Sequence, residues 1–267
     1  MAEDTVPTTF AQDVGGSNPK SIDGQLVKLA DDVYNNNGFN EPIGAPIDGW
    51  TRMSDDQLRA DHIEPRMLHN PQTGFHAEVY RNSRGEHVLA IAGTDDQNDV
   101  VSDIMGSVGL NDHVTQATDL TRQLKGVYGD KLACTGHSLG GGACAAAAVA
   151  NDIPAVTFNA AAVHPNQALG GMGKDVGDFQ RRAGNVRAYE LPGDVLTGNQ
   201  NHGILTPSAA HPIGKQIELH AIPPDSPGFI GVLGPAGVAF DHGVQMHGTG
   251  AVMKSMDKYP PWVTSTK

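Results

Sequence analysis

The stretch Lys131-Leu132-Ala133-Cys134-Thr135-Gly136-His137-Ser138-Leu139-Gly140-Gly141-Gly142 constrains this chain more than any other. Lys131–Thr135 is a short apolar run that reads as a buried strand, and the Gly- and Ala-rich residues from Ser138 to about Ala150 read as a helix. A strand that turns sharply into a helix needs small residues on both sides of the turn. Gly136 and Gly140 allow the turn and the close passage of strand and helix, leaving Ser138 exposed at the apex. A serine hydroxyl becomes a nucleophile when a base takes its proton and donors hold the oxyanion it creates. The helix start supplies one such donor, the backbone N–H of Leu139. A dinucleotide fingerprint over Gly140-x-Gly142-x-x-Ala145 is rejected, because these glycines fall inside the helix rather than in the turn before it.

The remaining pattern predicts an α/β fold with a mostly parallel sheet flanked by helices. Leu26, Leu29, Ala30 and Val33 mark an amphipathic helix opened by Ser21. Residues 36–73 read as a long surface excursion with one short helix at Asp55–Ala60. Phe75–Arg81 alternates in period two and His87–Ala92 is continuously apolar, so the pair reads as a hairpin across the turn at Asn82–Glu86. Val114, Ala117, Leu120, Leu124 and Val127 form a second helical stripe, closed by Gly129-Asp130. Further strands are expected at Pro154–Phe158, Asn185–Glu190 and Gln216–Ile222, with a last helix at Gly248–Lys258. One domain over residues 21–258 is expected, with 1–20 as a loose leader and 259–267 as a polar tail.

The net charge is −12 and nothing in the sequence resembles a basic stripe, so nucleic acid is not an expected partner, and attraction to anionic lipid is not expected either. Any membrane contact must be apolar or made through a partner. The first residues are acidic and polar, which does not suit a secretory leader. Synthesis in the cytoplasm and export by a leader-independent route are expected if the protein leaves the cell. Cys134 and Cys144 read as small buried residues packing strand on helix, with no disulfide framework or zinc site implied.

Several separated motifs resemble class 3 lipases over roughly residues 21–258. They are Thr135-Gly136-His137-Ser138-Leu139-Gly140-Gly141, Ala92-Gly93-Thr94, Phe158-Asn159-Ala160-Ala161 and the run Ala188-Tyr189-Glu190-Leu191-Pro192-Gly193-Asp194-Val195-Leu196-Thr197. The resemblance implies an α/β-hydrolase fold and a serine lipase or phospholipase acting on carboxylic esters, without a metal or organic cofactor. It implies that Thr94 joins Leu139 in the oxyanion hole. The family also places an aspartate where Asp103 stands, although the tryptophan usual three residues earlier is Val100 here. Two of the motifs, with Val163-His164-Pro165, are closest to bacterial lipase effectors delivered into competing cells by contact-dependent secretion systems. That subgroup implies a toxin with a cognate immunity protein in the producing cell.

In the hydrolase order an acid and then a histidine come after the nucleophile. Asp194 lies on the loop beyond its strand, whereas the competing Glu190 lies within it. Of the late histidines His202, His211, His220, His242 and His247, the last fits best as base, because Val252, Met253 and Met256 continue an apolar helix behind it. His242 is the alternative. Asp95, Asp96, Asp99 and Asp103 read as a solvated acidic loop, with a structural calcium ion as the lesser alternative. Residues 227–240 carry no charged or polar side chain, and their glycines and prolines disfavour a helix. They read either as an apolar flap over the site, with Phe229, Ile230, Val232 and Leu233 meeting acyl chains or a bilayer, or as a buried loop. Phospholipid hydrolysis is the leading reading. A cytoplasmic esterase or acyltransferase for small substrates, and an inactive hydrolase-like binding module, are the alternatives.

Overall fold

A computed structural model of the chain describes residues 8–35, 44–93, 110–164, 166, 175–197, 211–223, 225 and 235–263, the stretch 235–240 by its backbone alone. The strands are β1 (Thr51–Arg52), β2 (His69–Asn70), β3 (Phe75–Arg81), β4 (His87–Ile91), β5 (Leu132–His137), β6 (Ala155–Phe158), β7 (Val186–Glu190) and β8 (Lys215–Glu218). They form one eight-stranded sheet in the order β1-β3-β4-β5-β6-β7-β8, with β2 paired to β3. The β3–β4 hairpin is antiparallel, Ala77 facing Ile91. From β4 to β8 every neighbouring pair is parallel. This is the α/β-hydrolase architecture that the sequence predicts.

The parallel strands succeed one another in sequence order, and crossovers of one hand then bring the linking helices to one face. On that face lie α4 (Leu110–Tyr128), α5 (Ser138–Asn151) and α6 (Val176–Ala183). The other face is covered from the two ends of the chain by α2 (Asp23–Asp32) and α8 (Thr249–Lys258). Strand β4 shows why a continuous apolar run suits the middle of such a sheet. Leu89 and Ile91 enter the first layer, while Val88 and Ala90 enter the second. Helix α5 is almost wholly buried, so its Ala and Gly residues have no wet face to cover. Its small side chains let it lie deep between α4 and the sheet.

Helix α4 buries Val114, Ala117, Leu120 and Leu124 as its periodicity predicts, but Val127 is exposed, one residue before the helix ends at Tyr128. The short α3 (Asp55–Ala60) starts at Ser54 with a full capping box. Helix α6 has no counterpart in the sequence reading. It buries no residue completely, yet Phe179 and Ala183, four residues apart, pack against the core and Asp175 caps its start, so its signal is short rather than absent.

Other expectations change as well. Residues 8–20 are packed rather than loose: α1 (Phe10–Val14) buries Phe10 against Trp50 and Val14 in the core. Behind it, Arg187 of β7 is fully buried and bonds the carbonyls of Val14 (2.6 Å) and Gly16 (2.8 Å), and its Nε reaches Asp23 Oδ2 at 2.9 Å. Removing one partner of a buried pair such as Arg187–Asp23 costs about 3–5 kcal/mol, and the guanidinium it holds in place clasps the N-terminal segment through the Val14 and Gly16 carbonyls. Second, the chain is helical from Pro235, in α7 (Pro235–His247), despite the glycines and prolines around it. Pro235 occupies the first turn, where its missing N–H costs nothing. Third, Cys134 of β5 and Cys144 of α5 are both buried, as expected, but are joined as a disulfide. Side-chain direction across the strand–helix contact decides that pairing, and spacing alone does not reveal it.

Candidate active site

Ser138 sits at the C-terminal end of β5 with φ +56°, in the left-handed region that a side chain makes costly. The two flanking glycines explain how the chain accepts this. A Cβ on Gly140 would stand 2.2 Å from the carbonyl oxygen of Ile91 and 2.4 Å from that of Ala92. One on Gly136 would stand 2.7 Å from the carbonyl oxygen of Gly140. No side chain fits at either position, so the turn is reserved for glycine. Ser138 is only 5% exposed, rather than standing free at the apex. Gly93 closes against its Cβ and His247 covers its hydroxyl.

The structure brings Ser138, His247 and Asp194 into one line. His247 Nε2 lies 2.8 Å from Ser138 Oγ, and His247 Nδ1 lies 2.7 Å from Asp194 Oδ1. His247 is the last residue of α7, and Gly248 caps α8 directly after it, which buries Val252 and Met256 as the sequence reading requires. His242 lies five positions earlier on α7, and its Nε2 meets no hydrogen-bond partner among the described residues. The carboxylate reaching the imidazole is that of Asp194 and not that of Glu190, which still belongs to β7.

Asp194 is 1% exposed and its oxygens are fully engaged. Besides His247 they accept the backbone N–H groups of Leu196 (3.2 Å) and Thr197 (2.9 Å) and the Thr197 hydroxyl (2.7 Å). Burial pushes this carboxyl up. Attraction to His247 and the hydrogen bonds from His247 and Thr197 together outweigh burial, and hold it below the ordinary carboxylate value. Asp194 therefore stays ionised at neutral pH, which fixes the His247 tautomer with Nδ1–H toward the acid and leaves Nε2 to face the serine.

A second layer of contacts supports this line. His137 Nε2 lies 2.6 Å from the His247 carbonyl oxygen, and His137 Nδ1 lies 2.9 Å from the Tyr34 hydroxyl. The same hydroxyl accepts the N–H of Gly93 at 2.8 Å. Burial, then the neighbouring His247, push His137 down to about 3, so it is a neutral ring. Sequence reasoning singles out neither Tyr34 nor Asn159 as a site residue. Asn159 lies inside the Phe158–Ala161 motif, whereas Tyr34 gives no signal beyond ending an amphipathic helix.

Of the two oxyanion donors that the resemblance implies, Leu139 stands in the first turn of α5, whose leading N–H groups have no partner within the helix. Thr94 lies outside the described residues, as do the acidic residues Asp95, Asp96, Asp99 and Asp103, the histidine His202, and the flap residues Phe229, Ile230, Val232 and Leu233.

With this fold and these residues at the C-terminal edge of its sheet, the chain matches the family model of the Tle-like phospholipase domain over residues 25–229. The chain belongs to the Tle-like phospholipase family. It is thus an enzyme, a carboxylic ester hydrolase of the phospholipase kind. The chain is also similar to an extracellular phospholipase A1 of Serratia liquefaciens, 36% identical over 250 residues, covering 92% of this chain and 74% of that protein. The lipase resemblance carried by the motifs is thereby borne out at the level of family and reaction class.

Proposed function

We propose that this phospholipase is of the A type and releases a fatty acid from glycerophospholipid through Ser138, His247 and Asp194. The observation that carries the reading is the continuous line from Ser138 Oγ through both nitrogens of His247 to Asp194. Ser138 Oγ attacks the ester carbonyl as His247 Nε2 takes its proton. The oxyanion is held by the Leu139 N–H, with Thr94 as the second donor. The tetrahedral intermediate collapses as His247 returns the proton to the departing lysophospholipid oxygen. Water, deprotonated by the same nitrogen, then cleaves the acyl-enzyme and frees the fatty acid. No step uses a metal or cofactor, and a calcium ion in the acidic loop would be structural.

The relative's description as an extracellular phospholipase A1 supports export and a preference for the sn-1 ester. The reading extends to an antibacterial effector delivered to a target cell envelope, neutralised at home by an immunity protein. Phe229, Ile230, Val232 and Leu233 form its transient contact with the bilayer, because a net charge of −12 gives anionic lipid nothing to attract.

The test is fatty-acid release from phosphatidylethanolamine–phosphatidylglycerol vesicles carrying distinct labels at sn-1 and sn-2, with wild type and Ser138→Ala in parallel. Release of the sn-1 label that vanishes in the variant is the expected result. Release that persists in the variant overturns the nucleophile. Turnover of soluble short-chain esters without any release from vesicles overturns the membrane substrate.

A further inference from the structure

Helix α7 ends on the candidate base, and the last carbonyls of a helix have no partner within it. Two of these orphan carbonyls, of Met246 and His247, are satisfied by one side chain. Asn159 Nδ2 lies 3.0 Å from the Met246 oxygen and 2.9 Å from the His247 oxygen, so both amide hydrogens are used. Its Oδ1 accepts the N–H of Leu191 at 2.9 Å. Leu191 starts the loop of the candidate acid, and its carbonyl accepts the N–H of Asp194 at 3.1 Å. Asn159 is fully buried and adopts φ +43°, a left-handed conformation that asparagine tolerates better than other residues with a side chain. Its own N–H is tied to the Tyr189 carbonyl at 2.8 Å.

One side chain at the end of β6 thus joins the loop bearing Asp194 to the backbone of His247, without reaching Ser138 itself. From this we infer that Asn159 is a positioning residue for the proton-transfer line. It caps α7 and sets the distance between acid loop and base, so that the imidazole stays within reach of both partners. The inference rests on the triad reading of Ser138, His247 and Asp194. Its physical basis is that a misplacement of about 1 Å at a reacting group costs on the order of a hundredfold in rate. An amide is required. A carboxylate would turn a lone pair toward two carbonyl oxygens, and a smaller side chain would leave those oxygens without donors.

The test compares wild type, Asn159→Asp and Asn159→Gly, both replacements being compatible with the backbone conformation. On a soluble short-chain ester, kcat per folded molecule, with the folded fraction taken from near-ultraviolet circular dichroism, is expected to fall roughly a hundredfold while KM stays within about threefold. The low-field proton resonance of the His247–Asp194 hydrogen bond, assigned by its loss in His247→Ala, is expected to broaden or move. Either variant retaining kcat within about threefold overturns the inference, as does a fall in kcat with the resonance unchanged, which marks a structural role alone. Ser138→Ala separates the two failures. If Ser138→Ala is active, the triad itself is wrong; if it is inactive while the Asn159 variants are not, only the positioning role is wrong.

Discussion

His137 Nε2 lies 2.6 Å from the carbonyl oxygen of His247, so the residue before the candidate nucleophile holds the backbone of the candidate base. A carbonyl can only accept, hence Nε2 carries the hydrogen and Nδ1 is left to accept from the Tyr34 hydroxyl. The Tyr34 oxygen in turn accepts from Gly93, two residues beyond the end of β4. One polar chain therefore runs from Gly93, just beyond β4, through Tyr34 and His137 to the backbone of His247.

Tyr34→Phe cuts that chain in two places. The Gly93 N–H loses its acceptor and His137 Nδ1 its donor, at a stability cost of about 1–3 kcal/mol for the stranded buried groups. Activity on a short-chain ester is expected to fall about tenfold, mainly through kcat, because no substrate contact is removed. Steady-state kinetics with a urea titration check both parts. A variant as active and as stable as wild type would contradict the chain.

Ser138→Gly separates the cost of the turn from its chemistry. Ser138 holds φ +56°, and strain of that kind costs on the order of 1–3 kcal/mol, which glycine does not incur. Glycine also raises the entropy of the unfolded chain, which offsets part of the gain. The variant is expected to lose at least a thousandfold in activity and to melt above wild type. A lower melting temperature would show that the hydroxyl contributes more to stability than the turn takes away.

Gly140→Ala tests the close passage of helix and sheet. Its Cβ would meet two carbonyl oxygens of the β4 end at 2.2 and 2.4 Å, and backbone atoms in a sheet cannot move aside cheaply. Loss of several kcal/mol, seen as failure to fold or a large drop in the urea midpoint, is expected. Gly126→Ala on α4, where a Cβ would meet open space, is the control and is expected to be neutral or stabilising.

Much of this was legible because the decisive signals are local. The turn at Ser138, the apolar run of β4 and the stripe of α4 each lie within one short window of sequence. Asp194 and His247 were reachable from their order along the chain and from their immediate neighbours, since one sits on a loop after a strand and the other before an apolar helix. Asn159 was not, since its partners Leu191, Met246 and His247 lie on two other segments and only the fold brings them to it. The same holds for Phe10 and Val14, an apolar pair too short to signal a packed helix until Trp50 and Arg187 are in place. Helix α7 shows tertiary context overriding propensity: a weak helix sequence is held by caps that come from β5 and β6.

Asp194→Asn tests the electrostatics of the proposed acid. The amide keeps the shape but can turn its NH₂ toward His247 Nδ1, which stabilises the tautomer with the hydrogen on Nε2, the wrong one for taking a proton from Ser138. A loss in kcat of roughly three to four orders of magnitude is expected on the short-chain ester, with KM little changed. Retention of a tenth or more of wild-type kcat would move the role of acid elsewhere.

Acid stability is expected to depend on a histidine far from the site. His87, at the opposite end of β4, stacks on Tyr128 with ring centroids 3.6 Å apart. Burial, then the charge of Arg81, bring it down to about 4 from an ordinary 6.5, against the opposing pull of Asp61. The folded ring is therefore neutral over a range where the unfolded ring binds a proton. Stability from this site is fully present above about pH 6.5, declines as pH falls toward 4, and levels off below that. His87→Phe keeps a flat ring against Tyr128 and removes the proton site. Urea midpoints of the two proteins are expected to lie close together at about pH 7.5 and to separate at about pH 4.5, the variant being the more stable. His137, also depressed, titrates equally in both backgrounds and cancels from the comparison. A difference that is the same at both pH values would mean that His87 is not protonated on unfolding in that window.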